Sequence, residues 1–193
     1  MPVTSVSYSI AGWGVGEIWL DGPSLAWHEL PRPALQPSPG TRARARSAPT
    51  RSEGGVKHPP PSRSTLAARR AEQRNESGPK AEKLVERLRA YFAGERLSFD
   101  DVQLDLGGWT AFQLDVLQAL RRVPYGEVVS YTELARLAGY PRAQRAAGSF
   151  CAANRYGIVV PCHRVVAANG VGSYGSLGLY YKLRLLALEG VTL

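Results

Sequence analysis

Residues 36–80 limit what this chain can fold into, because the stretch is rich in Pro, Ser, Gly and Arg and almost free of large apolar side chains. A segment of this composition cannot bury enough apolar surface to offset the entropy lost on ordering. We therefore predict a disordered, basic linker here. The folded part of the 193-residue chain must then come from residues 1–35 and 81–193.

The positive charge of the chain is concentrated in the same segment. Residues 36–80 carry ten Lys and Arg against three acidic residues, whereas residues 1–35 carry one against three and residues 81–193 carry thirteen against ten. The net charge of +8 therefore says little about the folded surface. Two hypotheses remain for the linker: a solubilising tether, or a basic arm that holds DNA nonspecifically or serves as a localisation signal.

Residues 1–35 predict a small antiparallel β element. Serines alternate with Val6, Tyr8 and Ile10, and the stretch EIWLDGPSLAWHELP predicts two strands joined at residues 21–23. A sheet of this size is not stable alone, so it must pack on the chain beyond the linker. The hydrophobic content of 44% is enough to form that core.

The cysteine count and the hydropathy of the chain bear on its compartment. Two cysteines form no disulfide framework, and the chain has no N-terminal apolar signal region and no apolar run approaching about 18 residues. We expect free thiols in a soluble, cytoplasmic protein without a membrane partner, or a nuclear one in a eukaryote. The cysteines and three histidines show no metal-ligand spacing, so we predict neither a metal nor another cofactor.

Two helices are predicted after the linker. The stretch AEKLVERLRAYFAG places Leu84, Leu88 and Tyr91 on one helical face. Thr110 and Gln113 have the spacing of a capping box, which predicts the start of the next helix.

A pair of short helices comes next, separated by a tight turn. Ser130 and Glu133 have the spacing of another capping box, Leu134 and Leu137 are placed to form the inner face of the first helix, and Gly139 to end it. Pro141 is placed where it can open the second helix. The pattern predicts a helix-turn-helix.

The second of these helices, PRAQRAAGSFCAAN, is almost bare of bulky side chains. Its Ala, Gly and Ser residues leave a narrow surface, and Arg142 and Arg145 supply its charge. Such a helix can approach a narrow groove or separate base pairs, which large side chains would prevent. The alternative is close packing against the protein interior, which accounts for some of the small residues.

The stretch VVPCHRVVAANG holds Cys162 between a proline and a histidine. Pro161 stiffens the backbone, and the β-branched residues predict extended chain on both sides of the thiol. Successive side chains in extended chain point in opposite directions, so His163 could take the proton of Cys162 only through a bridging water, if the chain turns here. The alternative is a buried, inert cysteine.

Glu189 is the best-placed downstream carboxylate to orient such a histidine. The stretch LYYKLRLLALEG predicts a helix with Leu179, Leu183 and Leu186 on one face, so Glu189 lies at the C-terminus, where the helix dipole disfavours an anion. A partner such as His163 or Arg164 would explain the position. The alternative is an ordinary solvated glutamate before a terminal glycine.

Together these motifs closely resemble the O6-alkylguanine-DNA alkyltransferases, the methylated-DNA–protein-cysteine methyltransferases. The resemblance covers about 110 residues, with the motifs in the same order and at similar spacing. The shared elements are AEKLVERLRAYFAG, Phe112-Gln113, PYGEVVSYTELARLAG, RAAG at 145–148, Asn154, PCHRVV and Glu189-Gly190.

The resemblance implies an α+β fold. Residues 1–35 and 81–106 would form a small N-terminal domain with an antiparallel sheet, interrupted by the linker at 36–80. Residues 107–193 would form a mainly helical, winged-helix-like C-terminal domain with the helix-turn-helix.

The resemblance also implies DNA repair by a single-turnover methyltransferase. A monomer would bind the minor groove of double-stranded DNA, flip out an O6-alkylguanine, or less readily an O4-alkylthymine, and move the alkyl group irreversibly to Cys162. His163, acting through water and backed by Glu189, would lower the cost of forming the thiolate.

The remaining roles implied by the resemblance concern the DNA and the flipped base. Arg145 would fill the gap left by the base, with Arg142 adding charge to the same helix. Tyr131 would stand beside the 3′ phosphate, and Asn154 would fix the turn before the active-site strand. The base itself would meet the carbonyls of Cys162 and Val165, the ring of Tyr174, a donor at Ser176 and the charge of Lys182.

This chain departs from the family pattern in its lid and its recognition helix. In the loop GVGSYGSLGL, Tyr174 comes one residue early and Leu177 interrupts the glycines, which predicts a shifted or bulkier lid. Phe150 and Cys151 stand where smaller or thioether residues are usual, which predicts reduced tolerance for large adducts. The zinc ligands of some family N-terminal domains are absent.

Three other functions compete with repair. A lesion-sensing relative would bind damage without repairing it, but such proteins lack the reactive cysteine that Cys162 supplies. A helix-turn-helix transcription regulator would need base-reading side chains, which the alanine-rich helix does not offer. A cysteine hydrolase would need a triad order or an oxyanion loop, neither of which is recognisable.

Overall fold

The computed structural model of the protein describes residues 3–33 and 78–193. The predicted linker at residues 36–80 lies outside the described residues except at its end. There Pro79 and Lys80 are helical and begin helix α1, Pro79–Phe92, so the predicted boundary is wrong by a few residues. The reason is that proline is favoured in the first turn of a helix, where its missing N–H costs nothing.

The N-terminal part forms the predicted antiparallel sheet. Its three strands are β1 Val3–Ile10, β2 Gly14–Asp21 and β3 Ser24–Arg32, in that order across the sheet. Gly22, with a φ of 56°, forms the turn between β2 and β3, where few residues other than glycine are comfortable.

The sheet packs on the chain beyond the linker, as predicted. The Leu25 N–H donates to the Gln103 carbonyl at 2.8 Å, and the Asp105 N–H donates to the Leu25 carbonyl at 2.9 Å. Leu88 and Tyr91 of α1 are completely buried in the shared core. Burial of apolar side chains on both sides of the linker therefore stabilises the sheet.

The C-terminal part is mainly helical, which confirms the α+β class. Its elements are α2 Ala111–Arg121, β4 Val129–Ser130, α3 Tyr131–Leu137, α4 Gln144–Ala152, β5 Val165–Val166 and α5 Gly178–Leu188, with 3-10 turns at Cys162–Arg164 and Gly175–Leu177. Strands β4 and β5 pair in parallel. Within the described ranges, no helix is both long and apolar enough to cross a bilayer.

Helices α2 and α3 begin where the sequence predicted, each after a residue whose side chain caps its N-terminus. The capping box of α2 is complete, with the Gln113 N–H on Thr110 Oγ1 at 3.3 Å and the Thr110 N–H on Gln113 Oε1 at 2.9 Å. At α3 only half of the predicted capping box forms, since Ser130 Oγ accepts from the Glu133 N–H at 3.1 Å but the Glu133 side chain does not bond the Ser130 N–H. These side chains satisfy N–H groups that have no partner within the helix.

The helix-turn-helix forms, but two details of its prediction are wrong. Leu137 is half exposed, and Ala135 lies inside with Leu134. Pro141 does not open α4, which begins at Gln144. The Ala143 N–H instead donates to the Tyr140 carbonyl at 2.9 Å, so Pro141 occupies the second position of a turn, where its fixed φ is favoured.

The buried face of α5 also differs from the prediction. Leu186 is buried, but Leu183 is only half-buried and Leu179 is largely exposed. The helix is apolar around most of its circumference, so the leucine spacing alone did not distinguish its inner face. The residues of α5 that are buried are Tyr181, Lys182, Leu185 and Leu186.

A buried histidine joins the sheet to the C-terminal domain. His28 on β3 bonds the Gly157 carbonyl through Nδ1 at 2.6 Å and the Tyr8 hydroxyl through Nε2 at 2.6 Å. Because a carbonyl only accepts, Nδ1 carries the proton and Nε2 accepts from Tyr8. His28 is therefore neutral in the folded protein.

We expect this neutral histidine to make folding sensitive to acid. Burial lowers the pKa of His28 to about 4, whereas an unfolded histidine titrates near about 6.5. The stabilisation is thus complete above the unfolded pKa and is lost as the pH falls through the folded pKa, by about 3 kcal/mol in all. Urea unfolding between these pH values measures the loss. In His28→Asn this part of the pH dependence should vanish, and an identical slope in both proteins would contradict the assignment.

Candidate active site

Cys162 lies at a turn rather than in extended chain, which corrects the prediction for this stretch. The Cys162 N–H donates to the Val160 carbonyl at 2.8 Å around Pro161, whose φ of −81° and ψ of 61° are those of an inverse γ-turn. A 3-10 turn at Cys162–Arg164 comes directly after it. The two turns bury both Cys162 and His163 and remove the geometry that would have pointed them in opposite directions.

Glu189 is buried at the end of α5 and accepts five hydrogen bonds. Its Oε1 accepts from Tyr91 Oη at 2.6 Å, from His163 Nε2 at 2.8 Å and from Arg164 Nη2 at 2.9 Å. Its Oε2 accepts from Arg164 Nε at 2.9 Å and from the Gly126 N–H at 3.2 Å. These donors explain why an anion is stable at a helix C-terminus, and they exclude the solvated glutamate.

The surroundings of His163 determine its protonation state and its tautomer. Burial raises the pKa of Glu189, but the hydrogen bonds and charges of His163 and Arg164 outweigh it and hold that pKa well below the usual range. Burial also lowers the pKa of His163, against the opposing effect of Glu189. Neutral His163 therefore donates from Nε2 to an ionised carboxylate, which leaves Nδ1 as a free acceptor. Nδ1 is buried and has no hydrogen-bond partner among the described residues.

The Cys162 thiol is almost completely buried, at 7% exposure. Burial raises its pKa, and a hydrogen bond from Asn154, the Tyr174 hydroxyl and the charge of Lys182 act in the opposite direction. At rest the thiol is thus protonated near neutral pH. Formation of the thiolate needs a proton acceptor, and the free Nδ1 of His163 is a suitable one.

Asn154 connects the recognition helix to the thiol. Its Nδ2 donates to the Val160 carbonyl at 2.8 Å and to Cys162 Sγ at 3.0 Å, while its Oδ1 accepts from the Tyr156 N–H at 3.0 Å. The residue lies just after α4, so one side chain holds the turn between this helix and the cysteine. The sequence indicated the turn, but not the bond to sulfur.

A cleft of about 230 Å³ opens beside Cys162. One wall comes from the C-terminal domain and the lid, and includes Cys151, Asn154, Tyr174, Ser176 and Leu177. The opposite wall comes from β3 and includes Trp27, His28, Glu29, Leu30 and Arg32. Both cysteines of the chain thus line the same cleft, and the N-terminal sheet contributes to it.

Of the predicted lid and base-contacting residues, Cys162, Tyr174 and Ser176 line this cleft, whereas Val165 and Lys182 are not among its lining residues. Lys182 is buried and donates from Nζ to the Val165 carbonyl at 2.5 Å and to the Val171 carbonyl at 2.6 Å. Ser176 is exposed in the 3-10 turn of the lid. Tyr174 turns its hydroxyl into the interior, where burial and then the nearby thiol raise its pKa well above the ordinary value.

The predicted DNA-contacting residues Tyr131, Arg142 and Arg145 all belong to the helix-turn-helix segment. Arg145 is exposed in the first turn of α4, whereas Arg142 is exposed in the preceding turn and not on the helix as predicted. Tyr131 begins α3 and faces Gly148, where an added Cβ would lie 3.8 Å from the tyrosine ring. Phe150 is buried against Trp109, with ring centroids 5.6 Å apart. The small residues of α4 therefore serve partly for packing and partly for a narrow exposed face.

Sequence reasoning missed two donors to Glu189, the Tyr91 hydroxyl and the Gly126 N–H. Tyr91 was assigned only to the core, and its apolar neighbours gave no signal of this role. Arg164 was predicted as a possible partner of Glu189, and the two ion-paired hydrogen bonds between them confirm it. Arg164 also donates from Nη1 to the Val123 carbonyl at 2.7 Å, which connects the site to the end of α2.

Residues 111–191 match the family described as 6-O-methylguanine DNA methyltransferase, DNA binding domain. A methylated-DNA–protein-cysteine methyltransferase of Mycolicibacterium paratuberculosis is 52% identical over 106 residues, which are 54% of this chain and 62% of that relative. The chain thus matches less than two thirds of the length of this curated relative.

Solved structures extend the similarity to the N-terminal sheet. The crystal structure of the Mycobacterium tuberculosis O6-methylguanine methyltransferase is 30% identical, with a TM-score of 0.67 over 97% of this chain and 92% of that one. The Mycobacterium tuberculosis OGT in complex with DNA is 32% identical, with a TM-score of 0.64 over 96% and 92% of the two chains. Both parts of the chain therefore share the architecture of these proteins.

Proposed function

Because this chain belongs to the O6-methylguanine-DNA methyltransferase family, we propose that it repairs DNA by moving the alkyl group of O6-alkylguanine onto Cys162. The Cys162 sulfur attacks the alkyl carbon, the bond from that carbon to O6 breaks, and a thioether forms. The thiol proton ends on the displaced guanine, so guanine is restored. Nothing regenerates a thiol from the thioether, so each molecule reacts once.

The observation that carries this proposal is the buried set Cys162, His163 and Glu189 beside the cleft. Glu189 holds the Nε2–H of His163 and leaves Nδ1 as the acceptor, which takes the thiol proton through a water molecule. The imidazolium that forms is stabilised by the ionised carboxylate 2.8 Å away. Together these groups offset the cost of making a thiolate at a buried site.

The exposed face of α4 supports entry of a flipped base. Its Ala146, Ser149 and Ala152 are exposed and small, so the helix can lie close to the floor of the minor groove. Arg145 enters the stack in place of the base, and Tyr131 stands beside the 3′ phosphate. Arg142 adds a phosphate contact from the turn before the helix.

The cleft supports recognition of the guanine edge. The carbonyls of Cys162 and Val165 accept from its amino group, since each carbonyl has a second lone pair beyond the bond it already makes. Tyr174 forms a wall, and Ser176 donates to O6 from the lid. The protein acts as a monomer on double-stranded DNA that carries the lesion, in the cytoplasm or, in a eukaryote, in the nucleus.

Intact-protein mass spectrometry after incubation with excess O6-methylguanine DNA tests the proposal. We expect a stoichiometric gain of about 14 Da, one methylene, on Cys162, and no gain with unmodified DNA or in Cys162→Ala. Cys151→Ala is the matched control, because it removes the other thiol of the same cleft and should still gain the mass. Selective binding of the lesion without any gain would instead make the protein a damage sensor.

We expect Arg145→Ala to impair transfer from duplex DNA but not from a free base. Loss of the intercalated side chain should slow the reaction of O6-methylguanine in duplex DNA by about tenfold or more, because unstacking costs a few kcal/mol. The reaction of the free base O6-methylguanine, which needs no extrusion from a stack, should stay unchanged. Arg89→Ala removes the same charge from an exposed position on α1 and serves as the control. An equal loss of the transfer rate in both variants would mean that Arg145 contributes only its positive charge and does not replace the base in the stack.

A further inference from the structure

One buried side chain of the N-terminal sheet holds the loop that leads to the thiol. The backbone N–H of His28 donates to the Arg155 carbonyl at 2.8 Å, and its Nδ1–H donates to the Gly157 carbonyl at 2.6 Å. The Tyr8 hydroxyl on β1 bonds the other ring nitrogen at 2.6 Å. Strands β1 and β3 therefore fix two carbonyls of this loop through a single residue.

The loop is closely packed and strained at the same point. An added Cβ on Gly157 would lie 2.9 Å from the side chain of Leu30 on β3, so only glycine fits there without displacement. The next residue, Ile158, has a φ of 69°, which is a genuine outlier for a β-branched side chain. Strained backbone persists only where its surroundings hold it, and the bonds of His28 supply part of that hold.

The other end of the loop reaches the thiol through Asn154. The Tyr156 N–H donates to Asn154 Oδ1 at 3.0 Å, and Asn154 Nδ2 in turn donates to Cys162 Sγ at 3.0 Å. Tyr156 lies between the two carbonyls that His28 holds. A displacement of the loop at Gly157 therefore moves Tyr156 and changes the direction of the Asn154 amide.

We propose that His28 is a positioning residue for Cys162: from the N-terminal sheet it fixes the loop at residues 155–157 and so keeps the Asn154 amide on the sulfur. The role deepens the proposed alkyl transfer and rests on it for its biological use. It also gives the N-terminal sheet a part in the reaction beyond forming a wall of the cleft.

Three variants separate positioning from stability. His28→Leu removes both side-chain bonds. His28→Asn keeps an amide N–H near the position of Nδ1 and so retains a donor for Gly157. Tyr8→Phe removes the bond on the opposite side of the ring and leaves the Gly157 contact in place. Each variant loses a buried hydrogen bond, but only His28→Leu releases the Gly157 carbonyl, while the backbone bond to the Arg155 carbonyl remains in all three.

The experiment measures the rate at which iodoacetamide alkylates Cys162 across a pH series, and peptide mass spectrometry detects the product. All reactions are run at a temperature at which circular dichroism shows that every variant is folded. In His28→Leu we expect the rate at neutral pH to fall by about tenfold or more, since small displacements near reacting groups have effects of this size. The midpoint of its pH profile should move upward, because a hydrogen bond to sulfur favours the thiolate. His28→Asn and Tyr8→Phe should remain close to wild type.

All three variants leave unchanged the other titratable and charged groups that influence the thiol. Among the described residues these groups include Tyr131 on α3, Cys151 on α4, Tyr174 in the lid, Lys182 on α5, and His163 beside the thiol, which is held by Glu189. If the midpoint of the pH profile shifts only in His28→Leu, the cause is therefore displacement of the loop at residues 155–157.

Two results would overturn the positioning role. One is an equal loss of the alkylation rate in Tyr8→Phe and His28→Leu, and the other is an alkylation rate in His28→Asn as low as that in His28→Leu. Either result would mean that His28 stabilises the fold but does not position Cys162. Transfer from O6-methylguanine DNA is measured in parallel. If the wild-type protein fails to transfer methyl groups while the iodoacetamide rates still separate the variants, the proposed function fails and the positioning role stands.

Discussion

We expect Glu189→Gln to slow the proposed methyl transfer to Cys162 by about 100-fold, the size of a lost acid–base contribution. It should also lower the free energy of unfolding at neutral pH by about 3–5 kcal/mol, because a buried charge loses its partner. Glu189 accepts from Tyr91, His163, Arg164 and Gly126, and its carboxylate is the counter-charge to the Arg164 guanidinium. A glutamine places an amide NH2 against these donors and leaves the guanidinium without that counter-charge.

Single-turnover kinetics and urea unfolding measure the two effects of Glu189→Gln. Glu127→Gln is the control, since it makes the same chemical change at an exposed position after α2. Rates are compared at a temperature where the variant is folded. A folded Glu189→Gln that transfers at the wild-type rate would show that His163 does not depend on the carboxylate.

The stability difference of Glu189→Gln should itself depend on pH. The folded pKa of Glu189 lies below that of an unfolded glutamate, so its contribution is complete above the unfolded pKa and is lost as the pH falls through the folded value. Wild type and variant should therefore converge in acid. Equal stability differences at neutral and acidic pH would contradict an ionised Glu189 in the folded state.

The sequence predicted which residues lie together at the candidate site better than it predicted their backbone. Cys162, His163 and Glu189 were found because a thiol, an imidazole and an oddly placed carboxylate are informative residue types. The prediction of extended chain holds after the thiol, where Val165–Val166 forms β5, but it is wrong before and at Cys162. There the γ-turn at Pro161 overrides the β propensity of the preceding valines. Local propensity carries no information about a turn that the hydrogen bonds of a distant side chain, Asn154, hold in place.

The errors in the helices have a related cause. Leu137 and Leu179 have the spacing of core residues but are exposed, because the position of neighbouring elements decides which face of an apolar helix is covered. Lys182 shows the converse, since a lysine at this spacing was not expected in the core. It is buried because two carbonyls accept its protons, and those carbonyls come from β5 and from the loop before the lid.

Lys182→Met should weaken both the fold and the reactivity of the thiol. Methionine keeps the shape of the chain but leaves the Val165 and Val171 carbonyls buried without their donor, at about 1–3 kcal/mol each. Removal of the ammonium also removes one of the effects that hold the pKa of Cys162 down, so that pKa rises further. We expect methyl transfer at neutral pH to slow by about tenfold, because a smaller fraction of the thiol is then ionised.

The pH profile of Lys182→Met separates its two effects. If the ammonium acts by stabilising the thiolate, the rates of variant and wild type converge at high pH, where Cys162 is ionised in both proteins. Lys83→Met, the same change at an exposed position on α1, should alter neither rate nor profile. A deficit in Lys182→Met that is constant across pH would mean that the lysine acts only by holding β5 against the lid loop. The Val165 carbonyl would then be displaced from the guanine amino group at every pH, whereas the ionisation of Cys162 would be unaffected.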